Sequence, residues 1–360
     1  MLWADYSSQD PPENNVMSQR KEMRKKVFHF VPSMDIGGVE VGIQRSLPDL
    51  RKRFDISIFY VKGRGSLCVG QFPWWRALKN LFKDKPEIVV TSLWWAHPFG
   101  MLFSFAGARW VCFMHNAGLT HVIDRLVCRA AVRMADEVAA DSNATVQFVR
   151  KIKKDVKAQA IPYFFQLDHE FRALKRIPNS FIFVGRGTAQ KRIDLVAEFF
   201  GKLLASFPDV TCRFVIAGEC SKDVWQLAAA YRGRVTVEND LPNQEVIRRL
   251  CASEYFVVLS DYEGFCMAAH EAVQAGCFVI YRDVGEIRNY VVPGMSFMVR
   301  DITGLAAEFS EFLKGRTRVH TASETQESRQ QASRQETYSA FFIDLIAGMA
   351  GTNSGRRAND

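Results

Sequence analysis

Two glutamates eight positions apart are the side chains best placed for chemistry in this chain of 360 residues. Glu263 follows an apolar run at 255–259 and a short loop, and Glu271 falls within a helical pattern. If the apolar run is a strand of a parallel sheet, both carboxylates lie at its carboxyl end, where open α/β folds bind ligands. There they could accept hydrogen bonds from sugar hydroxyl groups. Such a spacing also arises by chance in helical proteins, so the pair alone does not decide the function.

The elements that must position these glutamates alternate regularly along the first half of the chain. An apolar run at 27–31 predicts a buried strand, and residues 39–50 carry helical spacing after a loop. Strands that alternate with helices predict a parallel sheet. The further strands are predicted at 56–61, 88–93, 109–114 and 137–140, and the further helices at 73–83, 98–106, 121–135 and 143–152.

The same alternation begins again after residue 180, so the fold class predicted is α/β with two Rossmann-like domains in tandem, facing a cleft. In this second series the strands are predicted at 181–184, 211–217, 234–237, 255–259, 277–280 and 296–299, and the helices at 192–206, 222–231, 243–250 and 267–275. We expect a disordered leader at 1–25, a first domain at 26–165, a linker at 166–180, a second domain at 181–335, a terminal helix at 336–350 and a frayed tail at 351–360.

Composition excludes several classes of protein. With 48% hydrophobic and 24% charged residues, the chain is neither disordered nor fibrous. Its eight cysteines form no C-x-x-C pair and no cluster with histidine, so we expect a reduced, cytoplasmic protein without a zinc site. The first residues lack the apolar core of a secretory signal.

One uncharged segment is long enough to cross a bilayer. Residues 88–108 contain no Asp, Glu, Lys or Arg. However, His97, Pro98 and Gly100 interrupt the segment, and Pro98 suits the first turn of a helix. We therefore favour a buried strand, helix and strand.

The positive charge of the chain, +8 in all, is concentrated in its first half. Residues 1–165 hold 24 basic and 15 acidic residues, whereas residues 166–360 hold 23 and 24. An anionic membrane face, a phosphorylated acceptor or nucleic acid could each explain this excess. No helix-turn-helix, zinc-finger or RNA-binding signature accompanies it, so nucleic acid is the least favoured partner.

The basic, aromatic segment at 72–85 allows two interpretations. Its composition is that of an interfacial helix that docks on anionic lipid or holds an acceptor. Alternatively, Leu78, Leu81 and Phe82 pack on the sheet and the basic face is solvated. The residues that would contact a membrane or acceptor are Trp74, Trp75, Arg76, Lys79 and Lys83.

Four spaced motifs together resemble the retaining GT-B glycosyltransferases of family 4, the glycosyl transferases group 1. Residues 260–276, which include both glutamates, resemble the donor-site signature of that family. Residues 183–191 resemble its V-G-R…K-G segment, and residues 215–218 resemble the strand ending in glycine that follows. Residues 32–40 resemble its first loop, P-x-x-x-x-G-G-x-E, so the resemblance covers about residues 27–349 in order.

The resemblance implies a role for each matching residue. Arg186 and Lys191 would hold the donor diphosphate, and fixed cations there would stabilise the leaving group as its charge grows. Glu271 would bind ribose hydroxyls, Glu263 would lie by the donor sugar, and His115 would contact the transferred sugar. The remaining donor-binding positions implied are Gly37, Gly38, Gly185, Gly218, Gly264, Phe265 and Cys266.

The resemblance also implies an activity, namely the transfer of a sugar from a nucleotide-diphosphate sugar to a glycan or lipid-linked acceptor with retention of configuration. It implies no metal and no cofactor, and the sequence has no D-x-D motif suited to Mg²⁺ or Mn²⁺. Synthesis of bacterial envelope polysaccharide or lipopolysaccharide, at the cytoplasmic face of the membrane, is the setting that the family suggests.

Three departures from the family motifs leave open which sugar is transferred and whether the chain has another activity. Cys266 replaces the usual third glycine, Cys277 begins a pair where Val/Ile-Pro is typical, and Glu286 stands where a second glycine is common. A catalytically silent partner subunit and a sugar-nucleotide epimerase of GT-B architecture are therefore alternatives. A nicotinamide dehydrogenase is disfavoured, because Gln190 occupies the third glycine position of G-x-G-x-x-G.

Overall fold

Two parallel β-sheets organise the part of the chain that the structure describes. This structure is a computed structural model, and it describes residues 24–33, 37–61, 71–79, 85–115, 118, 122–167, 171, 174–315 and 337–351. The strands of the first sheet lie within residues 26–160, and those of the second lie within residues 180–298. Of the predicted leader at 1–25 and the predicted tail at 351–360, residues 1–23 and 352–360 lie outside the described residues, as does the segment at 316–335.

The first sheet contains seven strands, which are β1 (Lys26–Val31), β2 (Asp55–Tyr60), β3 (Gln71–Pro73), β4 (Ile88–Ser92), β5 (Arg109–Met114), β6 (Glu137–Ala140) and β7 (Ala158–Ala160). Their order is β3-β2-β1-β4-β5-β6-β7, and all neighbours are parallel. β4 buries all five of its side chains, because helices cover both faces of the sheet.

Helices pack on both faces of this sheet. On one face α1 (Gly38–Arg53) buries Ile43 and Leu47. The opposite face carries a second apolar cluster around Phe103 and Trp110. The helices that pack there are α2 (Trp74–Lys79), α3 (His97–Phe105), α4 (Val122–Met134) and α5 (Asn143–Ile152).

The second sheet contains β8 (Ser180–Arg186), β9 (Thr211–Ala217), β10 (Val235–Asn239), β11 (Tyr255–Val258), β12 (Phe278–Tyr281) and β13 (Ser296–Met298). Its strands run in the order β10-β9-β8-β11-β12-β13, all parallel. Its helices are α6 (Ile193–Ser206), α7 (Lys222–Ala230), α8 (Asn243–Ala252), α9 (Met267–Ala275), α10 (Ile287–Tyr290) and α11 (Leu305–Gly315).

The strand order of each sheet predicts where a ligand binds, namely at the crevice beside β1 in the first sheet and beside β8 in the second. In the first sheet the chain leaves β1 towards β2 and later returns to the other side of β1 with β4. β8 occupies the same position in the second sheet, between β9 and β11. A crevice opens where the order reverses, so the loops after β1, β4, β8 and β11 border the natural binding site.

A final helix, α12 (Tyr338–Gly351), returns to the first sheet. Its Tyr338 ring stacks on the Tyr163 ring with centroids 4.4 Å apart, and Phe342 stacks on His29. Both Tyr338 and Phe342 are fully buried in the cluster that α1 also joins. The last described helix therefore completes the core of the first domain after the whole second domain has been traversed.

The uncharged segment at 88–108 forms a strand and a helix and leads into the next strand, as the sequence predicts. Among the described residues, no helix is both long and apolar enough to cross a membrane. The predicted helix at 73–83 differs, because residues 71–73 form an edge strand and the helix described after them ends at Lys79.

Four short or late elements were not predicted. The strand β7 consists of Ala158, Gln159 and Ala160, which have weak strand propensity. The strand β3 and the helix α10 have three and four residues, too few for a periodic signal. For α11, in contrast, Leu305 and Phe309 recur at helical spacing, so the sequence carries a signal for this helix.

Candidate active site

A cavity of about 210 Å³ lies where the carboxyl ends of the two sheets face each other. The first domain lines it with the loop after β1, with His115 at the end of β5 and with Asp141 at the end of β6. The second domain lines it with Arg186 at the end of β8 and with the segment 263–268 and Glu271. Most of the residues that the sequence singled out therefore meet around one cavity.

Lys191 and Glu263 form an ion pair on the second-domain wall. The Lys191 Nζ atom lies 2.7 Å from a Glu263 carboxylate oxygen, and both side chains are largely buried. Burial lowers the pKa of Lys191, but the attraction of Glu263 outweighs it and holds that pKa above its ordinary value. Lys191 ends a short 3-10 helix (Ala189–Lys191) that follows β8, so a charged ammonium group is fixed at the cavity.

Arg186 places a second cation beside the first. It is the last residue of β8 and is exposed, in contrast to Lys191. Both residues line the same cavity. Two cations on one wall suit a ligand that carries more than one negative charge, such as a diphosphate.

Glu271, in the second turn of α9, is held by a residue from the other domain. Its carboxylate accepts a hydrogen bond of 2.9 Å from Arg45 of α1 and a longer one from Asn243. Burial raises the pKa of Glu271 above its ordinary value, although Arg45 and Asn243 oppose the shift. Arg45 was missed by sequence reasoning, because only the tertiary fold brings α1 to α9.

The loop before α9 explains two features of the donor-site motif. A Cβ atom on Gly264 would overlap the Asp141 carboxylate, so only glycine fits there. Cys266 has a φ of 58°, the left-handed conformation that favours glycine. The departure at Cys266 from the family pattern therefore places a side chain on a backbone shape that prefers none, and burial raises the pKa of its thiol to about 12.

Phe265 joins the two domains through its backbone. Its amide group donates a hydrogen bond of 3.3 Å to Asp141, and its carbonyl group accepts one of 2.9 Å from the Tyr290 hydroxyl group. Residues 264–266 line the cavity, and the Phe265 amide group is already bonded to a carboxylate of the first domain.

Asp141 is a cavity residue that the sequence analysis did not name. Burial raises its pKa to about 6, although hydrogen bonds from Thr145, Ser142 and the Phe265 amide lower it. A signal was available, because Asp141 directly follows a predicted strand and precedes Ser142, which caps α5. The adjacent Tyr163, also on the cavity wall, had no comparable signal.

His115 is buried on the first-domain wall with its ring against Phe113 and Tyr163. Neither ring nitrogen has a hydrogen-bond partner within the described part of the chain. Burial lowers the pKa of His115 well below its ordinary value, and the neighbouring His29 and His97 lower it further. The ring is therefore neutral and presents a donor and an acceptor to a ligand.

The two glycines of the first loop lie close to side chains of both domains. Gly37 is extended, and a Cβ atom there would overlap the carboxylate of Glu40. A Cβ atom on Gly38 would lie 3.4 Å from the Met267 sulfur of the second domain. Both glycines line the cavity, but the approach that the structure shows is to these two side chains.

The other two glycines differ from each other. Gly185 lies in β8 and lines the cavity close to the Lys191 side chain. Gly218 has a φ of 85°, and its amide group donates to Asp240. Because Gly218 is not among the residues that line the cavity, its left-handed turn accounts for it.

The predicted basic helix lies away from the cavity. Trp74 is half-buried and packs on Phe99 with ring centroids 5.5 Å apart, so it belongs to the core of the first domain. Trp75 is 45% exposed, with Arg76 and Lys79 over its ring. Lys83 lies outside the described residues.

Comparison with known proteins agrees with this arrangement. Residues 178–315 match the family model described as glycosyl transferases group 1. The matched residues make up most of the second domain. The donor-site glutamates, Arg186 and Lys191 all lie inside the matched residues.

Relatives extend the similarity beyond that domain. The chain is 27% identical over 302 residues to glycogen synthase of Mycobacterium tuberculosis, covering 75% of this chain and 69% of the relative. Sucrose-phosphate synthase from Thermosynechococcus elongatus has a TM-score of 0.71 at 17% identity, covering 91% of this chain and all of the other. Anabaena HepE in complex with UDP-glucose has a TM-score of 0.73 at 16% identity, with the same coverage. The chain therefore has the two-domain GT-B fold of these glycosyltransferases.

No group of three or more His, Cys, Asp or Glu residues suited to a metal ion occurs among the residues that the structure describes.

Proposed function

We propose that this glycosyltransferase transfers a sugar, with retention of configuration, from a nucleotide-diphosphate sugar to a glycan or lipid-linked acceptor. The observation that carries the proposal is the placement of Lys191, Arg186 and Glu271 on one wall of the cavity. The first two offer positive charge to a diphosphate, and the third offers a carboxylate to the ribose hydroxyls. HepE, which has the same fold, binds UDP-glucose, and this supports a nucleotide sugar as donor.

In the proposed reaction the bond between the sugar C1 atom and the phosphate oxygen breaks. The acceptor oxygen bonds to C1 on the same face, and the departing phosphate takes the acceptor proton. Lys191 and Arg186 stabilise the charge that builds up on the leaving diphosphate. No protein nucleophile is required, and the ion pair of Glu263 with Lys191 supports a positioning role for that carboxylate.

We further propose that the reaction needs neither a metal ion nor a cofactor. Two cations line the cavity, and if they meet the diphosphate the chain itself supplies the positive charge that a metal ion would otherwise provide. His115 at the opposite wall is neutral and has no hydrogen-bond partner within the described ranges of the chain, which suits a hydrogen bond to a sugar hydroxyl group.

The acceptor is proposed to be reached at the cytoplasmic face of a membrane, in the synthesis of bacterial envelope polysaccharide or lipopolysaccharide. The positive charge of residues 1–165 supports an acceptor that is anionic or held at an anionic surface.

Thermal unfolding with a panel of UDP-, GDP- and ADP-sugars tests the donor. A ligand at 100 times its dissociation constant stabilises by about 2.7 kcal/mol, so the cognate donor should stand out. Incubation of that donor with EDTA and candidate acceptors, followed by NMR of the product anomer, tests retention and metal independence. Inversion, or activity abolished by EDTA and restored by Mg²⁺, would contradict the proposal, and tight binding without any transfer would favour a silent subunit.

A further inference from the structure

Exposed apolar side chains are concentrated on one layer of the first domain. Among the described residues eleven large hydrophobic side chains are exposed, and six of them lie on α3 and α4. Large contiguous apolar patches are rare on proteins that face only water, and they mark interaction sites. The six are Leu102, Phe105, Val122, Ile123, Leu126 and Met134.

The helix α4 is apolar on two opposite stripes. Its inner stripe, with Cys128, Ala131 and Val132, is buried against the sheet as in any amphipathic helix. Ile123 and Leu126 lie on the outer side, and each is 63% exposed. The core of the first domain buries the inner stripe alone, so the outer stripe does not contribute to that core.

The charges beside this second stripe have one sign. Arg125, Arg129 and Arg133 recur every fourth residue on α4 and are exposed. Asp124 is the only acidic residue of α4, and it is buried. The sequence of α3 contains no Asp, Glu, Lys or Arg.

The helix α2 continues the same layer. The contact of Trp74 with Phe99 joins α2 to α3, and α3 packs directly on α4. Arg76 and Lys79 add two exposed cations, and α2 has no acidic residue. We call the outer faces of α2, α3 and α4 the α2–α4 surface.

This surface extends to the edge of the cavity. The helix α4 begins shortly after His115, and Gly118 of the intervening segment lies beside the Tyr262 ring. Tyr262 in turn precedes Glu263. An acceptor lying along the amino-terminal end of α4 would therefore be next to the cavity.

We propose that the α2–α4 surface docks on an anionic lipid bilayer. The apolar side chains of α3 and α4 would enter the boundary between headgroups and acyl chains, and the five cations would contact lipid phosphates. A second copy of the chain is a poorer occupant, because a symmetric contact would bring five cations against five. The docking itself does not depend on the proposed function. The delivery of a lipid-linked acceptor to the cavity does rest on it.

Vesicle co-sedimentation of the full chain tests the proposal. We expect binding to phosphatidylcholine vesicles that contain phosphatidylglycerol, weaker binding to phosphatidylcholine alone, and loss of binding at high salt. The double variant Phe105→Ser with Leu126→Ser should weaken binding at least tenfold. The double variant Arg76→Gln with Arg129→Gln should weaken it about fivefold for each cation removed.

Matched changes on the second domain provide the control. Trp225 on α7 is 52% exposed and Lys222 on the same helix is exposed, so Trp225→Ser and Lys222→Gln should leave vesicle binding unchanged. Thermal unfolding and donor binding of every variant would show that the fold is intact. Absence of vesicle binding, or equal losses in the control variants, overturns the proposal. The proposal also fails if the chain self-associates or captures a protein and the double variant Phe105→Ser with Leu126→Ser abolishes that contact. If vesicles bind but no sugar is transferred, the proposed function fails and the docking surface stands.

Discussion

On the second-domain wall of the cavity Lys191 and Glu263 form an ion pair at 2.7 Å, whereas on the first-domain wall neither His115 nor Asp141 has an ion-pair partner among the residues that the structure describes. On the second wall the ion pair with Glu263 keeps the Lys191 ammonium group charged, as the raised pKa of Lys191 shows, although burial also raises the pKa of Glu271 there. The first wall favours neutral groups, as the lowered pKa of His115 and the raised pKa of Asp141 show. The difference fits the proposed function, in which one wall would meet the charge of the donor diphosphate and the other would meet sugar hydroxyl groups.

The largest expected effect comes from the charged wall. Lys191→Ala should lower kcat by roughly 10² to 10³, the usual loss for one fixed electrostatic contact, and should weaken donor binding less. The same change leaves Glu263 buried without a partner, which costs about 3 to 5 kcal/mol of stability. Single-turnover kinetics and thermal unfolding measure the two effects separately.

A double variant separates the loss of the cation from the loss of structure. Lys191→Met with Glu263→Gln removes both charges, so stability should recover while kcat stays low. The surface pair of Lys202 with Glu198 on α6 is the control, because Lys202→Met should change neither quantity. Recovery of kcat in the double variant would refute the role of Lys191 in leaving-group stabilisation.

The next effect tests whether the first wall disfavours charge. The pKa of Asp141 is about 6 in the fold against about 3.8 for an unperturbed carboxyl group, so the folded chain binds more protons between these values. Stability from this group is therefore present below about pH 4 and is lost as the pH rises through 6, by about 3 kcal/mol. The isosteric Asp141→Asn variant lacks this dependence. Denaturant unfolding across pH 4 to 7 should show its stability relative to wild type rising with pH, and a constant difference would contradict the prediction.

The smallest effect concerns Glu271, which belongs to the second wall but is paired across the cleft. Glu271→Gln should weaken binding of the free nucleotide by about 2 kcal/mol, through loss of charged hydrogen bonds to ribose. Glu238→Gln is the matched control, because Glu238 is also ion-paired in the second domain but lies away from the cavity. Calorimetry with nucleoside and nucleotide would show whether the loss arises at ribose. Unchanged affinity in the Gln variant would assign Glu271 to the contact with Arg45 alone.

The two walls also differ in how well the sequence predicts them. Arg186, Lys191, Glu263 and Glu271 lie in local motifs within one domain, so a pattern of residue types and spacings identifies them. Arg45 reaches Glu271 only through the packing of one domain on the other, and Tyr163 reaches the cavity from a loop of the first domain, and no local pattern records either position. The alternation of strands and helices likewise predicts the parallel sheets, while three-residue strands such as β3 and β7 depend on pairing with neighbours that propensity does not reveal.

The position of α12 has a consequence for how the protein is made. Tyr338 and Phe342 are buried in the core of the first domain, yet they follow the entire second domain in the chain. A ribosome that has released residues 26–167 has therefore not yet supplied all the side chains that close that core. Domains made during translation generally fold in order from the amino terminus, but here the first domain must wait for the last helix. Its folding can be completed only after the second domain has been synthesised.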